Sequence, residues 1–385
     1  MTVRYVSTRG EAPELDFGDV LLAGLAADGG LYCPAEIPAL PDDLWSPEGA
    51  APPYAAAAAR IMWPYVAGSI EADEFTAMVA DAYASFRHPD VCPVIDLGDN
   101  HFLLDLTRGP TLAFKDVALQ LVGRLFDHEL SKRQERVVVV TATSGDTGSA
   151  AIEALAGRSQ VAAVVLHPHE RVSDVQRKQM TTVDAANIEN LAVKGTFDDC
   201  QDLVKAAFAD TALNHEVNLA AVNSINWARV MAQTVYYVTA AAAVAPVAGA
   251  PPGPVSFTVP TGNFGNILAG WYAKRMGLDV DQLIVASNRN DVLTRFFETG
   301  ALVAHEVVPT LSPSMDIQVS SNFERLLWEA SERDGAAVAD LLARFRATGR
   351  AQVPDEWVAA IAEEFEAGRC NDEQTAAEIA AIHER

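Results

Sequence analysis

The sequence predicts an α/β fold in which parallel sheets are covered by helices, with a mainly helical region before them and another after. Three observations carry this. From His101 onward, short apolar runs alternate with stretches of helical spacing. Before Pro89, apolar residues in 54–66 and 72–85 recur at helical spacing, and a Pro- and Gly-rich loop around 34–53 separates them from the N-terminus. After Ser320 the chain reads as mainly helical again. Strands that alternate with helices imply parallel pairing under helical cover, and ligands of such folds bind at the carboxyl ends of the strands.

Taken in order, strands are expected at 102–106, 137–142, 161–166, 188–193, 255–260 and 283–287. Helices are expected between them at 117–130, 173–182, 197–208, 227–242 and 266–276, and beyond them at 323–330, 336–347, 356–366 and 373–383. The last of these is acidic and amphipathic. Residues 245–254, rich in Pro, Gly and Ala, read as a surface loop. No internal repeat is visible.

A chain of 385 residues is long enough for two domains or more, and a hydrophobic share of 50% supports sizeable cores. The net charge of -24, from 52 acidic against 28 basic residues, argues against binding nucleic acid through phosphate contacts; it favours solubility and says nothing of fold. Cys33, Cys92, Cys200 and Cys370 are widely spaced, without a Cys-x-x-Cys pair, so zinc-type spacing is absent and no metal is expected. Reduced thiols in a cytoplasmic protein fit best. Met1-Thr2-Val3-Arg4-Tyr5 has no charged-then-apolar leader pattern. Residues 235–250, the longest membrane-span candidate, are short, alanine-rich and end in Pro and Gly, which reads as a buried helix and a loop.

Lys115 stands out among the lysines. Lys132, Lys178, Lys194, Lys205 and Lys274 lie in polar or charged surroundings, whereas Lys115 follows Leu112, Ala113 and Phe114 in Pro110-Thr111-Leu112-Ala113-Phe114-Lys115-Asp116. Partial desolvation disfavours the charged amine and lowers its pKa, and a neutral amine can form a Schiff base with an aldehyde cofactor. Taken alone, the segment reads as an ordinary helix start.

Two loops add weight. Thr141-Ala142-Thr143-Ser144-Gly145-Asp146-Thr147-Gly148-Ser149-Ala150 follows the run Val137-Val138-Val139-Val140 and leads into an apolar helical segment. Backbone N–H groups at such a helix start favour an anion. Thr261-Gly262-Asn263-Phe264-Gly265-Asn266 follows a second strand-like run, and its two glycines permit close backbone approach to a phosphate. Each loop by itself also reads as an ordinary strand-to-helix turn. His167-Pro168-His169 is the one close histidine pair, and a loop pair explains it better than a metal clamp. Asp42-Asp43 and Asp198-Asp199 read as acids at helix starts rather than paired catalytic carboxylates.

Together the three segments resemble the threonine synthase family, pyridoxal-phosphate (PLP) enzymes of the tryptophan-synthase-β-like fold (fold type II). The resemblance extends to Arg4-Tyr5-Val6-Ser7-Thr8-Arg9-Gly10 and Asp28-Gly29-Gly30-Leu31-Tyr32, which look like the bacterial and fungal branch, and to Asn223-Ser224-Ile225-Asn226-Trp227-Ala228-Arg229 and Ser312-Pro313-Ser314-Met315-Asp316-Ile317. It implies two parallel-sheet domains with the site between them. The chain then divides into a mainly helical 1–90, PLP-binding α/β domains over 91–320 and a mainly helical 321–385.

The resemblance implies that Lys115 is the catalytic Schiff-base lysine. It implies that Gly262, Asn263, Phe264, Gly265 and Asn266 bind the cofactor phosphate, with the asparagine side chains as added donors, and that Phe114 or a nearby apolar group flanks the ring. Ser144, Gly145, Asp146 and Thr147 would surround the substrate's α-carboxylate. Asp146, itself an anion, fits better as a shaper of the loop or a contact of the substrate ammonium or cofactor hydroxyl. The implied reaction turns O-phospho-L-homoserine and water into L-threonine and phosphate through an external aldimine, with Lys115 as the base. A dianionic substrate needs cations; Arg289 is the first candidate, with Lys178 and Arg229 behind it, and for Arg229 a structural ion pair is at least as good a reading. Members of the family continue beyond the point where this chain stops, into a segment whose threonine contacts the PLP pyridine nitrogen; nothing here matches it, and an incomplete C-terminus is expected. The rival readings are another PLP lyase of the same fold, acting on phosphohomoserine or dehydrating serine or threonine, and a non-catalytic homologue acting as an interaction module. A monomer or homodimer, with no nucleic-acid or membrane partner, is expected.

Overall fold

The computed structural model describes residues 2–44, 52–143, 145–221, 224–245 and 253–384. Two parallel sheets form its centre. The first has the order Ile188–Val193, Val161–Pro168, Val137–Ala142, Leu219–Ala220. All its pairings are parallel, with Val137 opposite Val161 and Val138 opposite Leu219. The second has the order Phe365–Arg369, Val280–Ser287, Val255–Pro260, also parallel. The valine-rich strand Val137–Ala142 buries Val137 and Val139 on one face and half-buries Val138 and Val140 on the other.

Helices Asp146–Leu155 and Gly265–Arg275 pack against these sheets, and Lys115–Arg133 and Trp227–Ala243 pack on those helices. Trp227–Ala243 is buried on nearly every side, from Trp227 to Ala241, because the helices Gly265–Arg275, Lys115–Arg133 and Tyr54–Val66 surround it. The N-terminal region adds helices Phe17–Ala23, Tyr54–Val66 and Ala72–Ala84 and the antiparallel pair Tyr5–Ser7 with Tyr32–Pro34. Tyr5 reaches Trp227, with ring centroids 6.1 Å apart, and one apolar cluster runs from Tyr5 to Phe365. Glu324 accepts from Thr8 Oγ1 at 2.7 Å and pairs with Arg9 at 3.2 Å, tying the N-terminal region to the helix Phe323–Ala330.

Two expectations are corrected. Residues 102–106 were placed in the alternating parallel series; instead, His101–Leu104 pairs antiparallel with Val94–Gly98, outside both parallel sheets. Asp99 and Asn100 have φ of 51° and 59°, the left-handed backbone that a tight hairpin turn demands and that Asp and Asn tolerate. The helix expected at 356–366 ends at Ala362, and Phe365–Arg369 becomes the edge strand of the second sheet. The helix expected at 227–242 runs over Trp227–Ala243, and 246–252 of the expected loop lie outside the described residues. Among the described residues, no helix is long and apolar enough to cross a membrane.

Candidate active site

Five turns at strand carboxyl ends supply the site. They follow Val137–Ala142, Val161–Pro168 and Leu219–Ala220 in the first sheet and Val255–Pro260 and Val280–Ser287 in the second. The helix Lys115–Arg133 completes it by presenting Lys115 in its first turn.

Lys115 is buried, and its Nζ lies 4.9 Å from the centroid of the Phe114 ring. Nζ donates to Asp146 Oδ2 at 3.1 Å and to Ser314 Oγ at 3.3 Å. Burial holds the amine below the ordinary lysine range; Asp146 opposes this only in part, and the charge of Arg229 lowers it further. The preceding turn is strained, because Leu112 takes φ 63° without being glycine. Asp116 holds it: its carboxylate accepts from Thr111 N and Thr111 Oγ1, each at 2.8 Å. Burial pushes the Asp116 carboxyl up to about 6, against the pull of the Thr111 bonds. Gln179 Nε2 donates to Thr111 O at 2.7 Å from the other side.

The turn after Val137–Ala142 is organised by buried Thr143, whose Oγ1 accepts from Gly145 N at 3.0 Å and Gly148 N at 2.9 Å. Those two amides are thereby satisfied. Asp146 and Thr147, in the first helical turn, keep N–H groups with no partner within the helix. Gly145 takes φ 145°, and a Cβ there would collide with the side chain of Gln176. Gln176 Nε2 in turn donates to Asp146 Oδ1 at 2.6 Å. Asp146 also accepts from Ser314 Oγ. Burial pushes its carboxyl up, but Lys115, Ser314 and Gln176 outweigh burial and hold it below the usual carboxylate range. Asp146 therefore faces the lysine rather than an open carboxylate pocket. Ser144, and Asn223 of the 223–229 segment, lie outside the described residues.

In the second glycine loop, Phe264 is the cap residue of the helix Gly265–Arg275 and takes φ 64°. Its ring is fully buried, 5.1 Å from Phe323 and 5.5 Å from Phe365. No side chain caps this helix, so its first-turn amides are left for an anion. The Asn266 side chain holds the loop's own shape: Oδ1 accepts from Thr261 Oγ1 at 2.6 Å and Nδ2 donates to Pro260 O at 2.8 Å. Asn263 O accepts from Asn322 Nδ2 at 2.9 Å, and Ser320 Oγ donates to Gly262 O at 2.7 Å. A Cβ on Gly262 would stand 3.1 Å from Met315 Cα, so a larger residue there would push the 310–317 segment back from this loop.

The cations separate clearly. Arg289 and Lys178 are exposed. Arg229 is buried, and among the described residues its Nε and Nη1 have no hydrogen-bond partner. Burial brings its pKa down to about 10. An unpartnered buried guanidinium is costly, and an incoming anion would relieve it. The helix start that carries it is fixed by Asn226, whose Oδ1 accepts from Ala228 N at 3.0 Å while Nδ2 donates to Leu21 O at 2.8 Å.

Thr143, Gln176 and Ser314 were not read from the sequence as functional. Ser173, which caps the helix Asp174–Thr181, was the available signal for Gln176, since it places that helix start at the end of a strand. His167 is buried against Asn190 Oδ1 at 2.9 Å, whereas His169 is exposed beside Glu170.

A family model described as Threonine synthase N terminus matches residues 4–83, and one described as Pyridoxal-phosphate dependent enzyme matches residues 94–345. A threonine synthase of Pseudomonas aeruginosa is 52% identical over 382 residues, covering 99% of this chain and 80% of the relative. The PLP-bound threonine synthase of Brucella melitensis superposes with a TM-score of 0.96 at 50% identity, over 100% of this chain and 82% of the other. Threonine synthase from yeast superposes at 0.92 and 39% identity, over 99% and 79%. The chain thus belongs to the threonine synthase family of PLP-dependent enzymes, fold type II.

Proposed function

We propose that this chain converts O-phospho-L-homoserine and water to L-threonine and phosphate, as a carbon–oxygen lyase of threonine biosynthesis. The observation that carries the reading is a pair of buried cations, Lys115 and Arg229, close enough that the charge of Arg229 lowers the Lys115 amine, with Arg229 Nε and Nη1 lacking a partner among the described residues. These residues fit PLP. The uncapped start of Gly265–Arg275, with Gly262 and Gly265 before it, suits the cofactor phosphate through amides rather than through the Asn266 side chain. Lys115 Nζ is the amine that attaches to the cofactor. When bound, PLP supplies an electron sink at the substrate's α-carbon.

The chain's own residues do the rest. Arg229 holds the substrate phosphate as a charge-assisted partner, with exposed Arg289 a second cation on the solvent side. The amides of Asp146 and Thr147 bind the substrate's α-carboxylate, and Ser144 and Gly145 belong to the same loop. Released Lys115 Nζ takes the α-proton and moves a proton at the β-carbon. Asp146 keeps that amine in place and receives its surplus proton. The burial of Lys115 limits water at Nζ, as proton bookkeeping at one amine requires. We place the enzyme in the cytoplasm, as a monomer or homodimer without nucleic-acid partners, in keeping with a net charge of -24.

Borohydride reduction of the PLP-loaded protein and peptide mapping will place the label on Lys115, and phosphohomoserine will yield threonine. A keto acid in place of threonine overturns the synthase reading. A label on another lysine overturns the role of Lys115.

A further inference from the structure

Ser314 touches both charged groups of the site from the opposite side of the cleft. It sits in the single turn Pro313–Met315. The segment around it is fastened to the second sheet. Asp316 Oδ1 accepts from Asn288 Nδ2 at 2.8 Å and Asn290 Nδ2 at 2.9 Å, and Asp316 Oδ2 accepts from Thr310 N at 2.9 Å. Asn288 and Asn290 directly follow the strand Val280–Ser287. Met315 packs on Gly262 of the candidate phosphate loop. The Ser314 hydroxyl then reaches across to Asp146 Oδ2, which follows a strand of the first sheet, and accepts from Lys115 Nζ at 3.3 Å.

We propose that Ser314 is a positioning residue that sets the reactivity of Lys115 through Asp146, and that it couples the phosphate loop to the lysine. The proposal rests on the reading of Lys115 as the cofactor-attaching amine. A hydroxyl between an ammonium and a carboxylate gives a proton a path: Nζ passes one proton to Ser314 Oγ, Oγ passes its own to Asp146 Oδ2, and an ammonium–carboxylate pair becomes an amine and a carboxylic acid with nothing else consumed. The hydroxyl also shares the carboxylate. Its bond helps hold Asp146 ionised, so without it the carboxylate draws more strongly on the ammonium and retains it to higher pH.

The test strips PLP from the purified protein, returns it over a range of pH, and follows attachment by the visible band and by borohydride trapping. In Ser314→Ala, attachment at neutral pH will slow at least tenfold, and the pH of half-maximal rate will move upward. Ser314→Thr, which keeps the hydroxyl, will restore both. A Ser314→Ala curve that overlays the wild type, or one merely scaled down with its pH midpoint unmoved, overturns the proposal. Should Ser314→Ala fail to fold by circular dichroism, Ser314→Cys, a weaker donor of similar size, carries the same expectation and the same refutation. Lys115→Ala is run alongside: trapped cofactor in that variant refutes the reading of Lys115 and leaves the Ser314 comparison as a separate result.

Discussion

Asp116 carries the strain of the turn that presents Lys115, and it does so with a carboxyl that prefers a proton. Burial raises it from 3.8 to about 6. Between those values the folded chain binds more protons than the unfolded one, so stability falls as pH rises through that window, by at most about 3 kcal/mol at ~1.4 kcal/mol per pH unit. Asp116→Asn cannot titrate. It loses one acceptor for Thr111, a loss of about 1 kcal/mol that does not depend on pH. Thermal unfolding of both proteins will therefore show the wild type losing ground to the variant from pH 4 to pH 6, with the difference constant above pH 7. A wild type that gains on Asp116→Asn across that range means that its carboxyl is stabilised as the anion, contrary to its burial.

At the scale of elements, the helix Gly265–Arg275 begins on a residue that breaks local rules to serve packing. Phe264 accepts left-handed backbone because its ring fills the space between Phe323 and Phe365. Phe264→Ala removes the ring and keeps the strain, for a loss of about 3–5 kcal/mol. Phe264→Gly removes both, and returns about 1 kcal/mol where φ is positive. Chemical denaturation will thus rank glycine at or above alanine, the reverse of their order in ordinary helical positions; alanine above glycine by 1 kcal/mol would disprove the account. The ring also shows what sequence reading reaches. Strands 137–142, 188–193 and 255–260 and helices 54–66 and 323–330 were legible to the residue, because valine runs and helical spacing are local signals. The edge strand Phe365–Arg369 was not, since Phe365 is its one large apolar residue and its partner strand lies some eighty positions earlier. The two-residue strand Leu219–Ala220 is too short to show any period. The same divide runs through the site. Lys115 and the two glycine loops have local composition that marks them. The bond from Lys115 to Ser314 spans 199 positions, and no spacing rule encodes it.

For the whole molecule, the cleft is where folding and ligand binding meet. Arg229 lies in the helix Trp227–Ala243, which is buried along nearly its whole length, yet among the described residues two of its guanidinium nitrogens have no partner. A group with only a structural task would be paired there, because burying unpaired donors costs about 1–3 kcal/mol or more. Arg229→Met, similar in length and apolar, sheds that cost. In phosphate-free buffer the PLP-loaded variant will therefore unfold at the same temperature as the wild type or above it. Inorganic phosphate then distinguishes the two. With the glycine loop already taken by the cofactor, free phosphate at 100 times its dissociation constant stabilises the wild type by about 2.7 kcal/mol and leaves Arg229→Met unmoved. The converse, a variant weakened by several kcal/mol that still responds to phosphate, would make Arg229 a structural group and move the substrate's phosphate towards Arg289.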